Sequence, residues 1–197
     1  SEKNHDVLIL GDCEVYENIS TVTMWENYGI SSYIRGSAEQ LIWQSYYLLE
    51  DTLKYEKPQV VIVNVLAMTE SDAKNEAYNR MTLDGMKLSK YKIASIRESM
   101  TEEENMASYI FPLLRYHSRW SELSSEDFRY MWKTPSVTTN GYLMQKGVRP
   151  VKTIPKAAPL ANYTFSDRNM EYLDKIYSLC KDNGINLVLM KAPSVYP

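Results

Sequence analysis

The stretch Asp6-Val-Leu-Ile-Leu-Gly-Asp-Cys-Glu14 decides the fold. Its apolar part, Val7 to Leu10, is short, bounded and rich in branched side chains, which reads as a strand rather than a helix. Gly11 lets the chain turn sharply at the strand's carboxyl end, the edge where open α/β sheets carry their chemistry. Cys13 is therefore predicted at a site edge, between the carboxylates of Asp12 and Glu14.

Outward from this strand, Tyr33-Ile-Arg35 reads as a second strand. Residues Ala38 to Tyr55 place Leu41, Ile42, Ser45, Leu48, Leu49, Thr52 and Leu53 at helical spacing, and Pro58 closes the helix. Gln59-Val-Val-Ile-Val-Asn-Val-Leu66 is a near-continuous apolar run, the pattern of a central strand covered on both faces of a parallel sheet. A helix over Asp167 to Asp182 stops at Asn183-Gly184 and is followed by a buried strand, Ile185 to Met190. Strands alternating with helices predict a three-layer α/β fold. Its parallel strands are Val7–Leu10, Tyr33–Arg35, Val60–Val65 and Leu187–Met190, joined by right-handed crossovers.

Length fits one domain spanning 1–197, with an insertion of about 69–162 that reads as helices and ordered loops packed over the strand ends. Within it, Thr101-Glu-Glu-Glu104 has the form of a helix N-cap with an acidic first turn. Thr134 to Pro159, punctuated by Pro135, Gly141, Gly147, Pro150 and Pro155, reads as an extended flap. The start shortly before a core strand and the end directly after one read as the ends of a trimmed piece.

The formal charge is −3, from 22 basic and 25 acidic residues, with no sustained basic stripe, so nucleic acid is not an expected partner. No stretch approaches the roughly 20 apolar residues that span a bilayer. No phosphate loop or dinucleotide fingerprint supports phosphoryl or hydride transfer. Without Cys-x-x-Cys or paired histidines, neither a metal nor a cofactor is expected. Cys180 lies on a helical face with Met170, Leu173, Ile176 and Tyr177 and reads as core, so no disulfide to Cys13 is expected. Sixteen tyrosines and four tryptophans outnumber three phenylalanines. Half-buried packing accounts for most of these rings, while Tyr116, Trp120 and Tyr142 fall in irregular segments where stacking on a sugar is the alternative.

Gly11-Asp12-Cys13, directly after the first strand, resembles the first motif of the SGNH or GDSL-type hydrolases, Gly-Asp-Ser, with one change. The segment Trp25-Glu-Asn-Tyr-Gly-Ile30, the short strand after it, and Gly36 at the position of the second-motif glycine extend the likeness. More specifically the chain resembles, over nearly its whole length, cell-surface SGNH-like proteins of Gram-positive bacteria related to the D-alanyl-transfer and polysaccharide O-acetylation proteins. The resemblance implies a flavodoxin-like three-layer fold and an acyl-ester hydrolase or O-acyltransferase acting on cell-envelope polysaccharide. It also implies a glycan or acyl donor as partner and an extracytoplasmic location through a membrane anchor outside this chain. Cys13 takes the nucleophile position, the backbone amides of Cys13 and Gly36 are the oxyanion donors, and Asn64 is a weak third donor.

Two departures matter. A cysteine replaces the serine, which thiolate chemistry tolerates. The family's C-terminal Asp–His pair is missing from this chain, whose histidines are His5 and His117, so the pair is expected beyond residue 197. The competing class is a catalytically degenerate SGNH-like domain that binds a glycan or an envelope protein.

Each candidate also has a plain structural reading. The dipole of a helix following the turn would favour a Cys13 thiolate, whereas Asp12 and Glu14 raise the thiol pKa, and a small buried cysteine is the alternative. Asn64 reads equally as a buried, hydrogen-bonded structural residue. Asp12, Glu14 and Glu39 line the predicted cleft, though Glu39 with Gln40 also suits a helix cap. Arg115, His117, Arg119 and Trp120 would contact an anionic polymer or hold Glu14, Tyr142 is a further substrate-binding candidate, and His117 and Arg119 are expected to face the Cys13 edge. The alternative is a solvated helix end with Arg119 paired to Glu122 or Glu126.

Overall fold

The computed structural model describes residues 4–70, 72, 74–111, 114, 122, 124–125, 139–144 and 164–193. Strands β1 (Val7–Gly11), β2 (Ser32–Gly36), β3 (Val60–Asn64) and β4 (Asn186–Met190) form one all-parallel sheet in the order β2-β1-β3-β4. The register pairs Gly11 with Gly36, Leu10 with Val63, and Asn64 with Met190. Every strand therefore ends on the same edge.

Helices α1 (Cys13–Asn18) and α2 (Thr21–Tyr28) connect β1 to β2, and α3 (Ile42–Thr52) connects β2 to β3. After β3 come a 3-10 turn (Val65–Thr69), α4 (Glu76–Leu83), α5 (Lys90–Ser99), α6 (Met106–Ile110) and α7 (Asp167–Asp182). Side-chain caps start most of them: Asp12 for α1, Ser20 for α2, Asn75 for α4, Ser89 for α5 and Ser166 for α7 each accept a first-turn amide. Gly29, at φ 65°, stops α2 in the left-handed conformation that costs glycine least.

Strand alternation divides the core in two. Val7, Ile9 and Ile34 pack under Val15 of α1, while Leu8, Leu10, Val61 and Val63 pack under Leu41, Ile42, Leu49, Tyr172, Ile176 and Cys180 from α3 and α7. The sheet thus lies between two helical layers, as right-handed crossovers to either side of β1 require. Each fully buried aliphatic side chain contributes roughly 1.5–3 kcal/mol. Buried Gln44, Asn79, Ser99 and Trp43 hydrogen-bond across α3, α4 and α5.

Several expectations change. The predicted helix from Ala38 begins at Ile42, because Ser37 to Gln40 form a turn with Glu39 at φ 56°. The predicted strand to Val65 ends at Asn64, whose side chain accepts the Leu66 amide and starts the 3-10 turn. Thr101 caps no helix: its hydroxyl donates to Glu104, and Asn105 caps α6 instead. β3 is covered fully on one face only, since Val60 and Ile62 are half-buried while Val61 and Val63 are buried. Nor is β4 a buried strand, for Val188 and Leu189 are 44% and 49% exposed at this edge. On α7 the buried positions include Tyr172, Ile176 and Cys180, whereas Met170 and Tyr177 face outward, one helical step off the predicted stripe. In the predicted insertion, the loop before α4 borders the strand ends, while α5 packs against α3. Residues 134–138 and 145–159 of the predicted flap lie outside the described residues.

Candidate active site

Steric room at the end of β1 dictates the residues found there. Gly11 sits at φ 153°, and a Cβ there would come within 2.6 Å of Asn64 Cβ and 2.9 Å of a Val15 methyl. At Gly36, in register beside it, an added Cβ would meet the other Val15 methyl at 2.7 Å and the Gly11 carbonyl oxygen at 3.0 Å. Two glycines thus let β1 and β2 close over Val15, and Ser37 N donates to Gly11 O at 3.3 Å.

The ends of three strands are then knitted by polar side chains. Asp12 Oδ1 accepts from Glu14 N at 3.0 Å and from Asn64 Nδ2 at 2.9 Å. The same Nδ2 donates to Glu14 Oε2 at 3.0 Å, and Lys191, directly after β4, donates to Glu14 Oε1 at 2.7 Å. Asn64 is 1% exposed, and its amide is spent on Asp12 and Glu14 while its oxygen takes Leu66 N. This geometry matches the structural reading of Asn64 rather than that of a donor directed at substrate.

Burial holds the Asp12 carboxyl above its ordinary value, against the opposing hydrogen bond from Glu14 N. The Cys13 thiol, half-buried at the start of α1, is pushed up by burial and then by the carboxylates of Asp12, Glu17 and Glu39. A backbone hydrogen bond at Cys13 pulls the thiol down without reversing that sign. Burial likewise raises the Tyr16 hydroxyl, with the thiol next among the causes. The buried Cys180 thiol is pushed up to about 11, and both cysteines are free.

Glu39 lies on the same edge, ion-paired to Lys74 at 2.9 Å, and Lys74 also reaches Glu70 at 2.6 Å. Met68 follows β3 there, buried and bonded through its carbonyl to Asn169. Tyr142 packs instead against the Val7–Ile34 face of the sheet, and the neighbouring Leu143 N donates to Tyr16 O. His5 sits at the opposite edge, 2.8 Å from Glu56. Arg115, His117, Arg119 and Trp120, with Tyr116, lie outside the described residues. Among the described residues no cluster of three or more His, Cys, Asp or Glu could hold a metal, and no helix is long and apolar enough to cross a membrane.

Sequence reasoning missed Lys191 and Lys74. The available signal was position: a lysine immediately after the last apolar run falls, in a parallel sheet, on the same edge as the residue after the first.

No family model matches this chain, and no curated protein or solved structure is significantly similar to it.

Proposed function

We propose that this chain is an SGNH-like acyl-ester hydrolase or O-acyltransferase domain acting on cell-envelope polysaccharide, with Cys13 in the nucleophile position. The observation that carries the reading is the convergence, on one sheet edge, of Gly11-Asp12-Cys13 after β1 and Gly36 opposite Gly11 at the end of β2. In a sheet of order β2-β1-β3-β4, the connections diverge from β1 toward β2 and toward β3. The crevice between the ends of β1 and β3 is where doubly wound sheets bind ligands. Cys13 opens the helix beside that crevice. The thiol would attack an acyl carbonyl and pass its proton to a base. The amides of Cys13 and Gly36 would hold the oxyanion. The resemblance puts the base in an Asp–His pair beyond residue 197, and His5 is held at the far edge by Glu56.

One specific observation favours the second reading, a catalytically degenerate domain that binds a glycan or an envelope protein: Asn64 has no amide left for substrate, and burial with three carboxylates holds the thiol up. Hydrolysis of an aryl acetate and of an O-acetylated glycan by the full-length protein and by its Cys13→Ser and Cys13→Ala variants separates the two. The hydrolase reading expects turnover that Cys13→Ala abolishes and Cys13→Ser retains. Turnover unaffected by Cys13→Ala, or none in any of the three, overturns it, and glycan binding without turnover establishes the second.

A further inference from the structure

We infer that the pocket between α2 and the start of β2 is a saccharide-binding subsite for a neutral pyranose, separate from the Cys13 edge. Four residue steps, about 13 Å at strand rise, separate Ser32 from Gly36 along β2. The pocket encloses about 330 Å³, within the range of small-molecule sites.

Its walls are fixed rather than fluid. The turn 139–141 is docked on the free edge of β2: Ile34 N donates to Asn140 O at 2.9 Å, and Asn140 Nδ2 donates to Ser32 O at 3.1 Å. Thr21 Oγ1 ties the same turn to α2 through Thr139 O at 2.6 Å. Gly141, at φ 90°, allows this approach, since a Cβ there would lie 2.4 Å from Ile34 O. Ser31 is held from the other side by Asp6, which accepts both its amide and its hydroxyl at 2.9 Å.

Two observations point independently to a ligand. Trp25, lining the pocket, leaves 60% of its surface in water, and Tyr28, one helical turn on, leaves 73%. Of the two, Trp25 lines the pocket, and Tyr28 follows it on the exposed side of the helix. Ser32 is 2% exposed, faces the same pocket, and its hydroxyl has no hydrogen-bond partner among the described residues. A buried hydroxyl left unpaired costs free energy that a ligand hydroxyl returns.

A flat ring of C–H bonds edged by hydroxyls satisfies both features: its face covers the indole, and a hydroxyl pairs with Ser32 once the serine side chain rotates its buried oxygen into the pocket. Glu26 is the one ionisable side chain lining the pocket among the described residues. It accepts from sugar hydroxyls and repels a uronate, which selects a neutral sugar. The proposal does not depend on chemistry at Cys13, and a polysaccharide engaged here would extend toward that edge.

The test is binding, not turnover, so that it fails separately from the hydrolase reading. The chain is titrated with glucose, N-acetylglucosamine and the tetramer of the latter, with galacturonic acid as the anionic control, by calorimetry and ligand-observed NMR. We expect the neutral sugars to bind and galacturonate to bind at least about tenfold more weakly. Trp25→Ala should weaken the neutral sugars about tenfold or more, without lowering the melting temperature, because the ring is exposed. Ser32→Ala should weaken them several-fold while leaving the fold as stable or more so, an outcome a purely structural serine would not give. No binding of any neutral sugar, tighter binding of galacturonate, or binding indifferent to both substitutions overturns the proposal.

Discussion

Lys191 Nζ lies 2.7 Å from Glu14 Oε1, so the residue that follows the last strand is tied to the helix that follows the first. Asn64 reaches the other oxygen of the same carboxylate, and the ends of β1, β3 and β4 thereby share one hydrogen-bonded cluster. The ammonium is 41% exposed, so its pairing contributes modestly. Lys191→Met should lower unfolding free energy by about 0–1 kcal/mol. The same change should move the Asp12 carboxyl further up, since Lys191 is one of the charges that lower it. Urea unfolding reads the first effect and a carboxyl NMR titration the second. An unmoved Asp12 would break the electrostatic link between the two.

Asn64 should be far more costly to change. Asn64→Ala removes donors to Asp12 and Glu14 and an acceptor for Leu66 N in a buried place, at about 1–3 kcal/mol. Asn64→Asp sets a third carboxylate against two others and should cost about 3–5 kcal/mol at neutral pH, shrinking as acid neutralises the cluster. Equal losses for the two substitutions at pH 7 would show that charge is not what the site resists.

The strands were legible because apolar runs such as Val7–Leu10 and Val60–Val63 are short and bounded, and the helical crossovers between them leave only a parallel sheet. Element ends were less legible for local reasons. Asn64, the last ladder residue of β3, caps Leu66 N with its side chain, and Glu39 adopts φ 56° beside Gln40, which pairs with Ser45; an apolar pattern records neither. The site was legible as a place, from Gly11 and Gly36, but not as a network: that Lys191 meets Glu14 depends on β4 lying beside β3, a pairing 177 residues apart in sequence at the side chains concerned. The exposure of β4 was hidden because Val188 and Leu189 read as buried in any pattern count.

The two glycines of the edge make a packing prediction. Gly11→Ala combines an unfavourable φ with collisions against Asn64 and Val15, and should cost about 2–5 kcal/mol. Gly36→Ala collides with Val15 and the Gly11 carbonyl at an ordinary φ and should cost about 1–3 kcal/mol. Because Val15 is the shared obstacle, Val15→Ala should relieve part of the Gly36→Ala loss. A double-mutant cycle by urea unfolding checks this, and strict additivity would remove Val15 as the cause.

Asp12 supplies a pH signature. Its folded pKa is raised above the ordinary 3.8, chiefly by burial, so the folded state holds the proton more tightly than the unfolded one. The contribution to stability is complete below about 3.8 and is lost as pH rises through the folded value. Asp12→Asn keeps an acceptor for Glu14 N and Asn64 but does not titrate. The unfolding free energy of the wild type minus that of Asp12→Asn should therefore fall as pH rises from about 3.8, then level off. A difference that grows with pH over that window would mean the carboxylate is stabilised in the fold.

The thiol gives the most direct reading of the site. Burial and the carboxylates of Asp12, Glu17 and Glu39 place the Cys13 pKa above the ordinary 9.0, so at neutral pH the group is a thiol and a poor nucleophile. Iodoacetamide labelling of the native chain, followed at Cys13 by peptide mass spectrometry, should rise with a midpoint above pH 9.0. Cys180, 1% exposed, should stay unlabelled under the same conditions. Asp12→Asn and Glu17→Gln should each lower the midpoint, Asp12→Asn by more, because Asp12 ranks above Glu17 among the charges that raise the thiol. A wild-type midpoint below pH 9.0 would mean that a cation reaches the sulfur and that Cys13 is already activated as a nucleophile. A high midpoint unmoved by either substitution would leave burial, with Glu39, as the cause.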